Sequence, residues 1–197
     1  MVIDQMGKLY DAITQDLSKW LSEQKIFFVA SAPLAATGHI NCSPKGGDTF
    51  RVISEREVAY LDLTGSGIET TAHLQENGRI VLMFCSFQGP PLIVRLHGKG
   101  TVVYPHDSKF AELLNQFPAQ AGVRAIIWVT IDRISDSCGH GVPLMDFVNR
   151  RDLIEKWSKL KGPDGLSEYR AAKNRESIDG IPGYADLDRT NTAPGIS

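Results

Sequence analysis

The sequence predicts a mainly β protein with peripheral helices, an α+β chain whose six strands form one mostly antiparallel barrel. Three observations carry this. Short runs rich in β-branched and aromatic residues recur through the middle of the chain, bounded by Gly- and Pro-containing turns. The connections between these runs are short. Helical periodicity is confined to the start, the middle and the end.

The elements follow in order. Met6, Leu9, Tyr10, Ile13, Leu17, Trp20 and Leu21 recur at three- and four-residue steps, which predicts an N-terminal helix over residues 4–21. Residues 26–31 form a β-rich run closed by Pro33. His39-Ile40-Asn41-Cys42-Ser43 alternates, so His39, Asn41 and Ser43 share one face, and residues 44–48 read as a turn. Residues 50–53 and 58–63 are further strands. Thr64-Gly65-Ser66-Gly67 breaks the chain before a short helix over 69–76. Strands over 79–87 and 92–104 are joined by the hairpin-type turn Gln88-Gly89-Pro90-Pro91. Residues 108–117 read as a helix capped by Asp107 or Ser108. The run 124–134 is too apolar for an exposed edge strand. Helices are expected over 150–174, with Leu153, Ile154, Trp157 and Leu160 along one side. Residues 1–178 thus read as a single domain. Residues 179–197, rich in Gly, Pro, Asp and Thr, read as an extended tail that is ordered only where it docks.

Charge and composition exclude several classes. Among 197 residues, Lys+Arg 21 against Asp+Glu 23 gives a net charge of -2, so a nucleic-acid partner is not expected. No apolar run approaches the ~20 residues of a membrane span, and the start lacks the pattern of a secretory leader. Cys42, Cys85 and Cys138 are few and far apart, which fits a reducing cytoplasm better than a disulfide framework. No CxxC or HxxxH pair points to a metal site.

Three stretches could carry chemistry. Residues 63–74 lead from a strand through a Gly-rich turn into a helix. Free N–H groups there, with the hydroxyls of Ser66, Thr70 and Thr71, suit a phosphate. Ser66-Gly67-Ile68-Glu69 also reads as a capping box, and cap and anion can coexist because they use different N–H groups. In residues 39–47 the polar face could line a ligand groove, with Lys45 as a cation; the alternative is a solvated edge strand ending in a turn. Cys138-Gly139-His140 offers either a nucleophile and base or a loop whose glycines permit close approach. There is no G-x-S-x-G elbow, phosphate-binding P-loop or dinucleotide fingerprint. Catalysis therefore falls to a cofactor rather than a side-chain nucleophile. No catalytic residue is assigned; His73 and His140 are the candidate proton donors.

The ordered series Tyr60-Leu61-Asp62-Leu63-Thr64-Gly65-Ser66, Ala72-His73-Leu74-Gln75-Glu76-Asn77-Gly78-Arg79 and Arg95-Leu96-His97-Gly98-Lys99-Gly100 resembles the pyridoxamine 5'-phosphate oxidase-like flavoproteins over residues 25–134. The resemblance implies a split β-barrel of the FMN-binding type and a homodimer with FMN at the interface. It implies that Asn41, Ser43, Pro44 and Lys45 line the flavin. It implies that Ser66, Gly67, Thr70 and Thr71 meet the phosphate, with Arg95 approaching from the next strand. A family Ser-Arg-Lys run is replaced here by Ile68-Glu69-Thr70, so Glu69 would repel a phosphate unless Lys45 or an arginine compensates. Neither Arg150-Arg151 nor Tyr169-Arg170 reproduces the family's C-terminal arginine signature. The expectation is a flavin-dependent oxidoreductase acting on a small molecule other than pyridoxamine phosphate. The alternatives are an F420-dependent reductase and a non-catalytic flavin or haem binder. A dimer interface is expected to draw on Ile126, Trp128 and Val129.

Overall fold

The computed structural model describes residues 7–184. Its centre is one antiparallel sheet of eight strands, curled into a half-barrel: β1 (Leu9–Tyr10), β2 (Ile26–Ser31), β3 (Asn41–Gly46), β4 (Phe50–Ser54), β5 (Glu57–Leu63), β6 (Arg79–Cys85), β7 (Ile93–Val103) and β8 (Val123–Ser137). The strand order is β3-β2-β6-β7-β8-β5-β4, with β1 also paired to β8. Six strands become eight because the β1 pair is only two residues long and because residues 44–46, read as a turn, continue β3 against Phe28, Phe27 and Ile26.

Alternation places Phe27, Val29, Leu82, Phe84, Val94 and Leu96 inside the curl, with Tyr60, Ile127 and Val129 opposite. Phe27, Phe50, Phe84 and Tyr60 pack ring against ring, with Phe27 and Phe84 stacked at 5.3 Å. A second cluster of Ala59, Leu61, Val103, Leu113, Phe117 and Ile126 lies on the other face, under α3 (Phe110–Leu114). With both faces covered, β5 and β8 read as continuous apolar runs rather than alternating ones. Ile126 and Val129 are fully buried within one chain and so are not free for a partner, while Trp128 is half-buried beneath Lys109.

The N-terminal helix is shorter than expected. Residues 4–6 lie outside the described residues, and α1 spans Gln15–Glu23, capped where the Thr14 hydroxyl accepts from the Leu17 N–H at 3.3 Å. Leu9 and Tyr10 fit the helical period but pair with Ser135 and Ile134 of β8. Asp136 holds them there, accepting from the Lys8 N–H at 2.8 Å and the Tyr10 hydroxyl at 2.6 Å.

Helix α2 (Glu69–Asn77) links β5 to β6 and ends at Gly78, whose φ of 70° is the left-handed conformation a C-terminal cap needs. Helix α4 (Leu153–Lys173) breaks at Gly162 and Pro163. Its expected apolar side is not the docked one: Leu153, Ile154 and Leu160 are exposed, and Ser158 and Leu166 are buried. Ser158 lies close to Gly122, where a Cβ would come within 2.3 Å of the serine Oγ. Residues 179–184 of the expected tail dock on the fold, and 185–197 lie outside the described residues. Among the described residues, no helix is long and apolar enough to cross a membrane.

Candidate functional site

The end of β5, the start of α2 and β3 form one wall of a cleft with a volume of about 2260 Å³. The lining continues over the 86–92 loop and the segment 145–155, which bring Phe87, Met145, Phe147 and Ile154. Ser43, Pro44, Lys45, Gly67, Thr70 and Thr71 all line it. Asn41 stands behind them: its amide donates to Thr70 Oγ1 at 2.9 Å and accepts from Ser43 Oγ at 3.1 Å. Because Thr70 Oγ1 accepts from Asn41, its hydroxyl proton is left to donate elsewhere.

Two expected site residues are placed differently. Ser66 is exposed outside the cleft lining. Arg95 sits on β7 between the buried Val94 and Leu96, so it faces the outer side of the sheet, where it donates to Ser137 Oγ at 2.8 Å. His39 lies outside β3 and bonds Asp179 through its backbone N–H at 2.8 Å and its ring at 2.6 Å. That hydrogen bond holds the Asp179 carboxyl below the usual carboxylate range. His73 is fully buried and His140 is exposed on its loop; neither lines the cleft within one chain.

The capping box does not form. The N-cap of α2 is Ile68, with no side-chain cap. Instead, a buried network holds the turn, and two of its members, Asp62 and Arg124, also line the cleft. Asp62 and Arg124, each 3% exposed, pair through Nε and Nη2 at 2.8 Å. Arg124 Nη1 also donates to the Gly67 carbonyl at 3.1 Å and to Asn174 Oδ1 at 2.8 Å. Asn174 Nδ2 donates to the carbonyls of Gly65 at 2.9 Å and Ser66 at 3.3 Å. Arg170 Nε donates to Thr64 Oγ1 at 3.0 Å.

The carbonyls of residues 65, 66 and 67 are thus all drawn to one side. In a trans peptide the N–H points opposite its C=O, so the N–H groups of Ser66, Gly67 and Ile68 face away from the network. None of the three has an acceptor among the described residues. This is the geometry of an anion-binding concavity at a helix start. Lys45 Nζ lies 4.0 Å from Asp62 Oδ1, so one carboxylate serves two cations and the local balance is positive. Glu69 works against this: its carboxylate reaches back to within 2.8 Å of the place a Cβ on Gly67 would take. Asp62 and Arg124 are not among the site residues the sequence points to; their signal is an acid between Leu61 and Leu63 and a base that precedes the apolar run Ala125–Val129. Asn174 had no local signal.

A family model described as pyridoxamine 5'-phosphate oxidase matches residues 13–138. The chain belongs to this pyridoxamine 5'-phosphate oxidase family. Within it, the family protein ustO of Aspergillus flavus is 39% identical over 195 residues, covering 90% of this chain and 78% of that one. Solved family-like folds extend the comparison. The H111A variant of HupZ from Group A Streptococcus aligns with a TM-score of 0.51 at 21% identity, over 63% of this chain and 98% of that one. A candidate pyridoxamine 5'-phosphate oxidase from Lactobacillus delbrueckii aligns at 0.50 and 14% identity, over 66% of this chain and 98% of that one. These alignments identify the half-barrel as the split-barrel fold of the family. The family match ends at residue 138, so Arg170, Asn174 and the docked segment after them lie outside it, although the alignment with the Aspergillus relative, over 90% of this chain, runs well past that point.

Proposed function

We propose that this family member holds FMN in the cleft and, as a homodimer, uses it to oxidise or reduce a small molecule. The observation that carries the reading is the set of three N–H groups at residues 66–68 that have no acceptor among the described residues, of which Gly67 and Ile68 line the cleft and Ser66 lies just outside its lining, with Thr70, Thr71 and Lys45 beside them. The amides and the threonine hydroxyls would hold the phosphate, and Lys45 would offset its charge. Glu69, on a flexible stem, would turn outward as the anion enters. Ser43 and Pro44 would meet the ring system. When bound, the flavin supplies hydride chemistry at its ring. The cleft exceeds the ~300–1,000 Å³ of an ordinary ligand pocket, which leaves room for a substrate beside the cofactor. The apolar residues exposed between 144 and 154 support a second chain closing over this wall. F420 has a phosphate of its own and competes for the same turn. The haem reading has less support, because no histidine lines the cleft.

The test is an absorption spectrum of the purified protein followed by FMN titration of the apo form. Flavin bands and saturable FMN binding are expected. The double substitution Thr70→Ala, Thr71→Ala weakens FMN roughly tenfold or more while the circular dichroism spectrum persists. Unchanged affinity removes the phosphate from this turn.

A further inference from the structure

We infer that Asn174 is a positioning residue for the anion-binding turn, so that the C-terminal segment 174–184, outside the family match, tunes how tightly the phosphate of a flavin is held. This rests on the flavin reading of the cleft.

Asn174 is fully buried and uses both ends of its amide. The oxygen accepts from Arg124, and the nitrogen bridges the carbonyls of Gly65 and Ser66. These two carbonyls belong to the peptides whose N–H groups are those of Ser66 and Gly67, so Asn174 fixes the direction of both donors without touching the ligand. The rest of the segment clamps Asn174 in place. The Tyr184 N–H donates to the Asn174 carbonyl at 2.9 Å, and the Gly183 N–H donates to the Arg175 carbonyl at 2.8 Å. Tyr184 is buried edge-on against Tyr104 at 5.4 Å. Gly183 passes so close that a Cβ would come within 2.6 Å of both the Asn174 carbonyl oxygen and Ile68 Cγ1. The segment therefore also backs Ile68, the N-cap of α2 and the third donor. At its outer end the Asp179–His39 pair ties it to the β2–β3 connection.

A preorganised donor set holds an anion more tightly than a mobile one, because ordering is not deducted from binding. Asn174→Asp is the probe. It keeps the size and the acceptor for Arg124 but replaces the donor to Gly65 and Ser66 with an oxygen that repels their carbonyls. Affinities for FMN and for riboflavin, which lacks the phosphate, are measured on wild type and variant. FMN affinity is expected to fall about tenfold with riboflavin affinity held within about twofold. An unchanged FMN affinity, or a parallel loss for riboflavin, overturns the inference. Gly183→Ala, which displaces the segment by contact rather than charge, repeats the test if Asn174→Asp does not fold, and the same two outcomes decide it. If wild-type protein binds neither flavin, the flavin reading fails, and the amide shifts of Ser66, Gly67 and Ile68 under inorganic phosphate decide the inference. A response lost in Asn174→Asp sustains it; an equal response, or none in either protein, overturns it.

Discussion

Asp62 is an acid set in a strand of apolar neighbours, and its carboxylate is satisfied by Arg124 alone on one side and faces Lys45 at 4.0 Å on the other. A buried pair of this kind is expensive to break and cheap to delete. Asp62→Asn strands the Arg124 guanidinium among neutral acceptors, and the expected loss is about 3–5 kcal/mol in urea-induced unfolding. Replacing both partners, Asp62→Leu with Arg124→Met, should cost less than the single change, since no unpaired charge remains. A double variant at least as damaged as the single one means that the pair is held for packing rather than charge. Under the flavin reading, the same residues would offset Glu69: the cations beside the turn are Arg124 and Lys45, not a basic residue on α2 itself.

Among the elements, α2 carries the cleft wall, and His73 pins it to β2. The imidazole is fully buried, with Nδ1 2.9 Å from Ser31 Oγ and no partner for Nε2 among the described residues. Burial pushes its pKa below the ordinary value, against the pull of Asp179, Glu69 and Glu76. As pH falls below about 6.5, the unfolded chain takes up the proton first. The stability contributed by the neutral ring is therefore complete above that pH and is lost as pH falls through the lower folded value. His73→Leu should flatten the acid-side slope of stability measured by denaturant titration from pH 7 to 5, with His97, also lowered by burial, supplying what remains. An unaltered slope excludes His73 as the titrating group. The elements themselves were legible to different depths. Residues 26–31 and 58–63 stand out because burial forces their composition. Leu9 and Tyr10 satisfy a helical period and a two-residue strand equally well, and Asp136, more than a hundred positions away, decides between them. The outer placement of Arg95 could be read from the alternation of Val94 and Leu96. The capping box could not be excluded locally, because the groups that draw its carbonyls aside come from β8 and from beyond α4.

At the scale of the molecule, an apolar surface is left uncovered by the described residues. Leu144 is 80% exposed and Val148 93%, and Met145, Phe147, Leu153 and Ile154 are exposed with them. This run borders the cleft and is tied to the 86–92 loop by the Met145 N–H donating to the Phe87 carbonyl at 2.9 Å. A charge placed there should oppose association. Wild-type protein at micromolar concentration is expected to scatter light as a dimer, and Val148→Asp to shift toward monomer; a wild-type monomer removes the homodimer from the proposal. The network behind the turn has one more consequence. Asn174 lies 50 residues from Arg124 and 109 from Gly65 along the chain. Every strand is complete by Ser137, yet the three groups meet only once residue 174 has left the ribosome. The barrel can collapse during synthesis, while the hydrogen-bonded turn must wait for nearly the whole polypeptide. If that turn holds a flavin phosphate as proposed, capture at full affinity would be a post-translational event, and a chain stopped short of that asparagine would be a barrel with a loosened grip.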